Sequence, residues 1–284
     1  MRWTPGGVSN DVEDDRSSSG GGGGFPGGIH IGIGGILILL VLSFIFKRDL
    51  LTPFLGGSST TESTQSAPAA TPQQSPSEQR EVQFVSFVLD DVQNTWTKII
   101  PNYRHAKLVL YRGGIDSACG LAQTATGPFY CPGDEKVYLD LSFFNELKNQ
   151  LGASGEFAQA YVIAHEIGHH VQKITGIERK VRQEVENNPR MANAISVRVE
   201  LQADCYAGVW ANSTERRDIL EKGDLESAMN AAAAVGDDHL QKMQTGRVMP
   251  DKFTHGTSAQ RTYWFKQGFT SGSPASCDTF SSSQ

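Results

Sequence analysis

Phe157-Ala-Gln-Ala-Tyr-Val-Ile-Ala-His165-Glu166-Ile167-Gly168-His169 is the stretch on which the reading turns. Its pattern is helical, with Phe157, Ala160, Tyr161 and Ala164 along one stripe. His165 and His169 are four residues apart and therefore share a helix face, where two imidazole nitrogens can converge on one metal ion. Glu166 sits one step round, able to reach a water at the metal but not the metal itself. Gly168 costs about 1 kcal/mol relative to Ala inside a helix, so its presence between the histidines suggests a closely packed neighbour. Three fixed positions alone leave open a helix with two solvent-facing histidines.

A second cluster, Glu200-Leu-Gln-Ala-Asp204, sharpens this reading. A catalytic zinc site needs three protein ligands and one open position. Residues 191–212 read as a helix with Ile195, Val199 and Tyr206 on its apolar side. Glu200 on that helix is the candidate third ligand. Asp204, one turn on, can accept the free N–H of a ligating histidine, His165 in particular, and fix its tautomer. Two solvated acids are the alternative, and Glu184 and Glu186 are rival third ligands. The chemistry expected is hydrolysis, with Glu166 taking a proton from a zinc-activated water and passing it to the leaving group.

His-Glu-x-x-His followed by Glu-x-x-x-Asp is similar to the gluzincin branch of zinc metallopeptidases. Further segments narrow the likeness: Cys119-Gly-Leu-Ala, Gly127-Pro-Phe-Tyr-Cys131-Pro, residues 137–144, His165-Glu-Ile-Gly-His-His-Val-Gln172, residues 200–208 and His255-Gly-Thr-Ser-Ala-Gln-Arg261. Together they resemble the bacterial putative neutral zinc metallopeptidase family. The resemblance implies a membrane-anchored, zincin-like peptidase with Zn²⁺ as cofactor and a peptide or protein substrate. A narrower likeness joins Thr254-His255 and Arg261 to an element of CAAX-prenyl-protease-type enzymes, with Gly256 where that family has Pro. An oxyanion donor is wanted there, and His255, Arg261 and Tyr263 are the candidates. The alternative for His255 is a loop histidine capping a helix that starts near Ser258.

The chain has 284 residues and a formal net charge of −6 without a basic cluster, so nucleic acid is not an expected partner. Residues 1–28 are Gly-, Ser- and acid-rich and are expected to be a disordered tail. Residues 29–46 are an apolar run that would span about 27 Å as a helix, so 29–47 is expected to be a single transmembrane helix contacting the bilayer. Residues 48–80 read as a flexible Ser/Thr/Pro/Gln linker, and 81–284 as the metallopeptidase domain. Lys47 and Arg48 would place that domain inside the cell. The four cysteines argue for the oxidising, extracytoplasmic side, with candidate bridges among Cys119, Cys131, Cys205 and Cys277; buried free thiols are the alternative. The extracytoplasmic side is favoured.

The fold class expected is α+β, zincin-like, mostly helical with a small sheet and preceded by the transmembrane helix. Helices are expected over 82–99, 141–150, 156–174, 191–212, 224–244 and 258–267. Strands are expected at 108–111 and 136–140. Lys136–Asp140 reads either as an edge strand that pairs with substrate backbone or as an ordinary core strand. His30, His105, His170 and His239 lack ligand spacing. The rival to a peptidase is a membrane-tethered binding or assembly protein with a structural or vestigial zinc site.

Overall fold

The computed structural model describes residues 1–17, 75–123 and 127–281. Helix α1 (Pro76–Ile99) begins at Ser75, whose hydroxyl accepts the backbone N–H of Glu78. Pro76 follows at a position where its missing N–H costs nothing. Val85, Val88, Leu89, Val92 and Trp96 recur at helical spacing and are buried. The helix starts earlier than the sequence suggests because the cap and the proline lie within the polar stretch assigned to the linker.

Four strands form the main sheet: β1 (Val12–Asp14), β2 (Lys107–Tyr111), β5 (Phe129–Cys131) and β6 (Lys136–Asp140), in the order β1-β2-β6-β5. β1 and β6 run parallel to β2, with Val12 opposite Leu108 and Leu108 opposite Val137. β5 is antiparallel to β6, with Tyr130 opposite Val137. β3 (Gly114–Ser117) and β4 (Gly120–Gln123) form a separate hairpin. Lys136–Asp140 is therefore interior, paired on both sides, and cannot accept a further strand. The edge beside the helical layer belongs to β5, whose brevity hid it from alternation counts.

The helices follow as α2 (Ser142–Asn149), α3 (Glu156–Ile174), α4 (Ile177–Asn187), α5 (Ala192–Glu215), α6 (Asp224–Ala234), α7 (Asp237–Thr245) and α8 (Ser258–Ser271). The single helix expected over 224–244 is two. Gly236 is extended between them, and a Cβ there would lie 2.4 Å from the Ser258 nitrogen. The start of α8 thus occupies the space a continuing helix would need. α5 and α8 cross at equally close range: a Cβ on Gly268 would sit 1.9 Å from the Cys205 carbonyl oxygen. Cys205 and Cys277 are bonded, as are Cys119 and Cys131.

The expected disordered tail needs correction over its first part. Trp3 packs edge-on against Phe84 at 5.2 Å and donates its indole N–H to Glu156 at the start of α3. Ser9 bonds Asp90, and β1 extends the sheet. Composition misleads here because only a few side chains in this segment do the packing. Residues 1–16 and 75–284 make up one compact unit.

The single-pass membrane assignment is also corrected. Residues 29–47 lie outside the described residues, and among the described residues no helix is long and apolar enough to cross a membrane. The physical objection is topological. One crossing between residues 17 and 75 would put β1 and β2 on opposite sides of the bilayer, yet the two are hydrogen-bonded neighbours in one sheet.

Candidate metal centre

α3 is buried over most of its length, and Gly168 marks a close approach of α5 to it. A Cβ there would meet the Ala203 carbonyl oxygen at 3.0 Å and its Cα at 3.1 Å. The missing side chain lets α5 lie directly on α3, which brings Glu200 to the histidines. His165 Nε2 and His169 Nε2 are 3.2 Å apart; Glu200 lies 3.2 Å from the first and 3.5 Å from the second. All three ligand atoms fall within 4.8 Å of one another. Ligands bound at 2.0–2.1 Å in tetrahedral geometry sit roughly 3.3 Å apart, so the spacing fits a zinc-sized ion with one corner left free.

The charges fit as well. Glu166, Asp204 and Arg261 are buried, and Glu200 is half-buried beside them. With neutral histidines, three carboxylates and one guanidinium leave two negative charges in a low-dielectric pocket. Such a surplus is costly unless protons or a cation offset it; a dication would match it in place of the protons that His165 and Glu166 otherwise hold.

Asp204 is fully buried and accepts four hydrogen bonds. Its donors are His165 Nδ1 at 2.9 Å, the Tyr161 hydroxyl at 2.5 Å, and Arg261 Nε and Nη2 at 2.8 and 3.0 Å. Burial would raise this carboxyl, but the Arg261 and His165 charges hold it below the usual range. The same contact reaches His165: burial pulls its imidazole down, and the Asp204 charge and hydrogen bond outweigh that, holding it at about 10. A metal ion competes with that proton. Glu200 is likewise held well below the carboxylate range, its two histidine neighbours overriding burial. His169 goes the other way, lowered chiefly by burial.

Glu166 lies beside this triangle without being part of it. Burial pushes its carboxyl up to about 7, against the opposing His165 charge and the backbone N–H of Tyr130 on β5. A group near neutrality can both take and return a proton at ordinary pH.

The other expected site residues divide. Arg261 does not face a substrate. It is 3% exposed and committed to Asp204, to Tyr161 and, through Nη1 at 3.2 Å, to the Val235 carbonyl. Its role as an oxyanion donor is corrected to support of Asp204, because its donors are directed inward. Tyr263 is exposed and stacks edge-on against Trp264 at 5.6 Å, with no contact to the triangle. His255 stands on the loop before α8, about half exposed, with Nδ1 3.2 Å from Asp237. Glu184 and Glu186 are exposed on α4. His170 is buried between the Tyr130 hydroxyl and the Arg104 carbonyl.

Three contributors went unseen in the sequence. Gln172 Oε1 lies 2.9 Å from His169 Nδ1, while its Nε2 donates to the Val199 carbonyl and to Gln202 Oε1. Its i+3 spacing from His169 was a usable signal. Tyr161 falls on the apolar stripe of α3, a pattern that hides the bond from its hydroxyl to Asp204. Asp237 had no signal, being eighteen residues from the loop it binds.

The chain matches the family described as "Putative neutral zinc metallopeptidase" over residues 1–280. It is 49% identical to the uncharacterized protein YpfJ of Escherichia coli (strain K12) over an alignment of 293 residues covering 100% of both chains. It is 43% identical to the uncharacterized protein Rv2575 of Mycobacterium tuberculosis (strain ATCC 25618 / H37Rv) over 203 residues, 68% of each chain. No solved structure matches. A family match across nearly the whole chain, on top of this triangle of ligands, means that the chain belongs to the putative neutral zinc metallopeptidase family.

Proposed function

We propose that this protein is a zinc-dependent peptidase in which His165, His169 and Glu200 hold the metal and Glu166 is the general base and acid. The carrying observation is the triangle of three ligand atoms within 4.8 Å, beside a buried carboxyl that is not one of them. A structural zinc site is closed by four protein ligands, whereas three leave a position for chemistry. That contrast disfavours a purely structural or vestigial site. Zinc bound there would polarise a carbonyl and lower the pKa of a water from 15.7 to about 7.

The chain's own groups supply the rest. Asp204 fixes the His165 tautomer, and Gln172 does the same for His169. Glu166 accepts the water's proton and delivers it to the leaving amine. Among the described residues β5 pairs with β6 alone, which makes its other edge the candidate for pairing with a substrate backbone. The influence of the Tyr130 backbone on the Glu166 carboxyl supports a β5 edge close to the base. An extended peptide added to β5 would have its scissile bond carried to the base.

The test is hydrolysis of a quenched-fluorescence peptide set by the purified full chain, with bound zinc measured alongside. Glu166→Gln should retain stoichiometric zinc and lose hydrolysis, and a chelator should abolish activity reversibly. Full turnover by Glu166→Gln would refute the assignment of the base.

A further inference from the structure

Asp237 opens α7 and is buried, with 8% of its surface exposed. Its Oδ2 accepts three consecutive backbone N–H groups, from Thr254 at 2.8 Å, His255 at 2.6 Å and Gly256 at 3.0 Å. Its own N–H donates to the Gly256 carbonyl at 2.8 Å. Its Oδ1 lies 3.2 Å from His255 Nδ1. The Thr254 hydroxyl is a second neighbour of that nitrogen, at 3.0 Å, but carries no charge. One carboxylate therefore fixes both the path of the loop and the rotation of the ring it bears.

The far side of the loop rests on α5. A Cβ at Gly256 would lie 3.2 Å from both Val197 and Leu201, which bracket Glu200 on that helix. Gly256 also has φ +91°, a conformation that side chains rarely adopt. The loop is thus wedged between Asp237 and the turn that carries the third metal ligand. Asp237, Glu200 and Arg261 are the charged groups acting on His255, and the hydrogen bond to Asp237 is the largest influence, raising the imidazole from its ordinary value.

We propose that Asp237 is a positioning residue: it orients His255 and supplies the counter-charge that lets Nε2 donate to negative charge developing on a substrate carbonyl. The carbonyl-stabilising role rests on the peptidase reading; the orientation of the ring by Asp237 does not. Asp238, its neighbour, binds the Ser258 N–H at 2.7 Å and its hydroxyl at 2.9 Å. It holds the start of α8 without touching His255, which makes it the natural control.

The experiment uses the full chain labelled with ¹⁵N-histidine, with His255 assigned by loss of its signals in His255→Gln. Over a pH titration the parent's His255 should keep both nitrogens protonated to a higher pH than an ordinary imidazole does. Asp237→Asn keeps an oxygen for the loop N–H groups but removes the charge, and should move His255 toward a neutral form. Asp238→Asn should leave those signals in place. Unchanged His255 signals in Asp237→Asn, or equal changes in Asp238→Asn, would overturn the proposal.

A kinetic arm uses the same quenched peptides. His255→Gln should lower kcat by roughly 10²-fold, the usual cost of one oxyanion donor, and Asp237→Asn by roughly tenfold, both with KM and bound zinc unchanged. The double variant should be no slower than His255→Gln. A further drop in the double variant would make Asp237 merely structural. A parent chain that cleaves no peptide would sink the peptidase reading, while the spectra would still decide the Asp237–His255 relationship.

Discussion

The Cα of Gly168 lies so close to Ala203 that a methyl group in its place would reach the Ala203 carbonyl oxygen at 3.0 Å. That contact between α3 and α5 sets the distance from Glu200 to the two histidines. Gly168→Ala sets a gain in helix propensity of about 1 kcal/mol against a tight contact with backbone, which cannot swing aside. Gly168→Val adds branched atoms with nowhere to go. The expected outcome is a graded loss of zinc affinity, Val far more than Ala, read by competition with a chromophoric chelator. Equal affinities for the parent and Gly168→Val would show that the triangle does not depend on this approach.

Arg261 offers a separable test of support for the site. Removing one partner of a buried ion pair costs about 3–5 kcal/mol because the other charge is stranded. Arg261→Met should therefore destabilise the fold and weaken zinc binding by roughly 10–100-fold, the range for partners of a metal ligand. Pairing it with Asp204→Asn removes the stranded charge and should restore much of the stability. Zinc affinity should stay low, because His165 still lacks its carboxylate. Denaturant unfolding and metal competition on the same samples separate the two effects.

Glu166 makes a pH prediction for the chelator-treated protein. Its carboxyl, held at about 7 in the folded chain, stands above the ordinary glutamate value of 4.5. A carboxyl raised on folding weakens the fold once it ionises: the penalty is absent below pH 4.5, grows from there to pH 7, and is full above. Glu166→Gln has no such penalty. The variant should thus match the parent near pH 4 and exceed it in melting temperature near pH 7. Saturating zinc should shrink the gap, since the added positive charge favours the carboxylate. A gap that widens toward acid would contradict the burial that raises this group.

The pairing of β1 with β2 requires residues 1–17 and 75–281 to share one side of any membrane. Single cysteines placed at Val8 and Met243, both exposed, should react in intact cells with an impermeant maleimide together or not at all. Labelling of one without the other would overturn the sheet order at its β1 edge.

Most of the metal centre was legible in local sequence, for a simple reason. Ligands on one helix obey a fixed spacing, so His165 and His169 announce each other, as do Glu200 and Asp204. Gly168 carried a second signal, since a costly glycine inside a helix asks for a close neighbour, and Ala203 answers it. Arg261 was legible as a residue of interest but not in its direction, because the side of α8 that faces Asp204 is decided by the crossing at Gly208 and Gly268.

The sequence by itself pointed to the pair His165 and His169, to the carboxyl proposed as general base and to the helix that carries them, because these follow from spacings of about one helical turn. Only the tertiary structure decided that Glu200 closes the triangle, that Asp237 holds His255, and that β1 joins the sheet from across a gap of more than fifty residues. Those are contacts between segments with no periodic relation, selected by packing. The same packing withdrew the single membrane crossing, because hydrophobicity describes a segment alone whereas β1–β2 pairing constrains both of its ends.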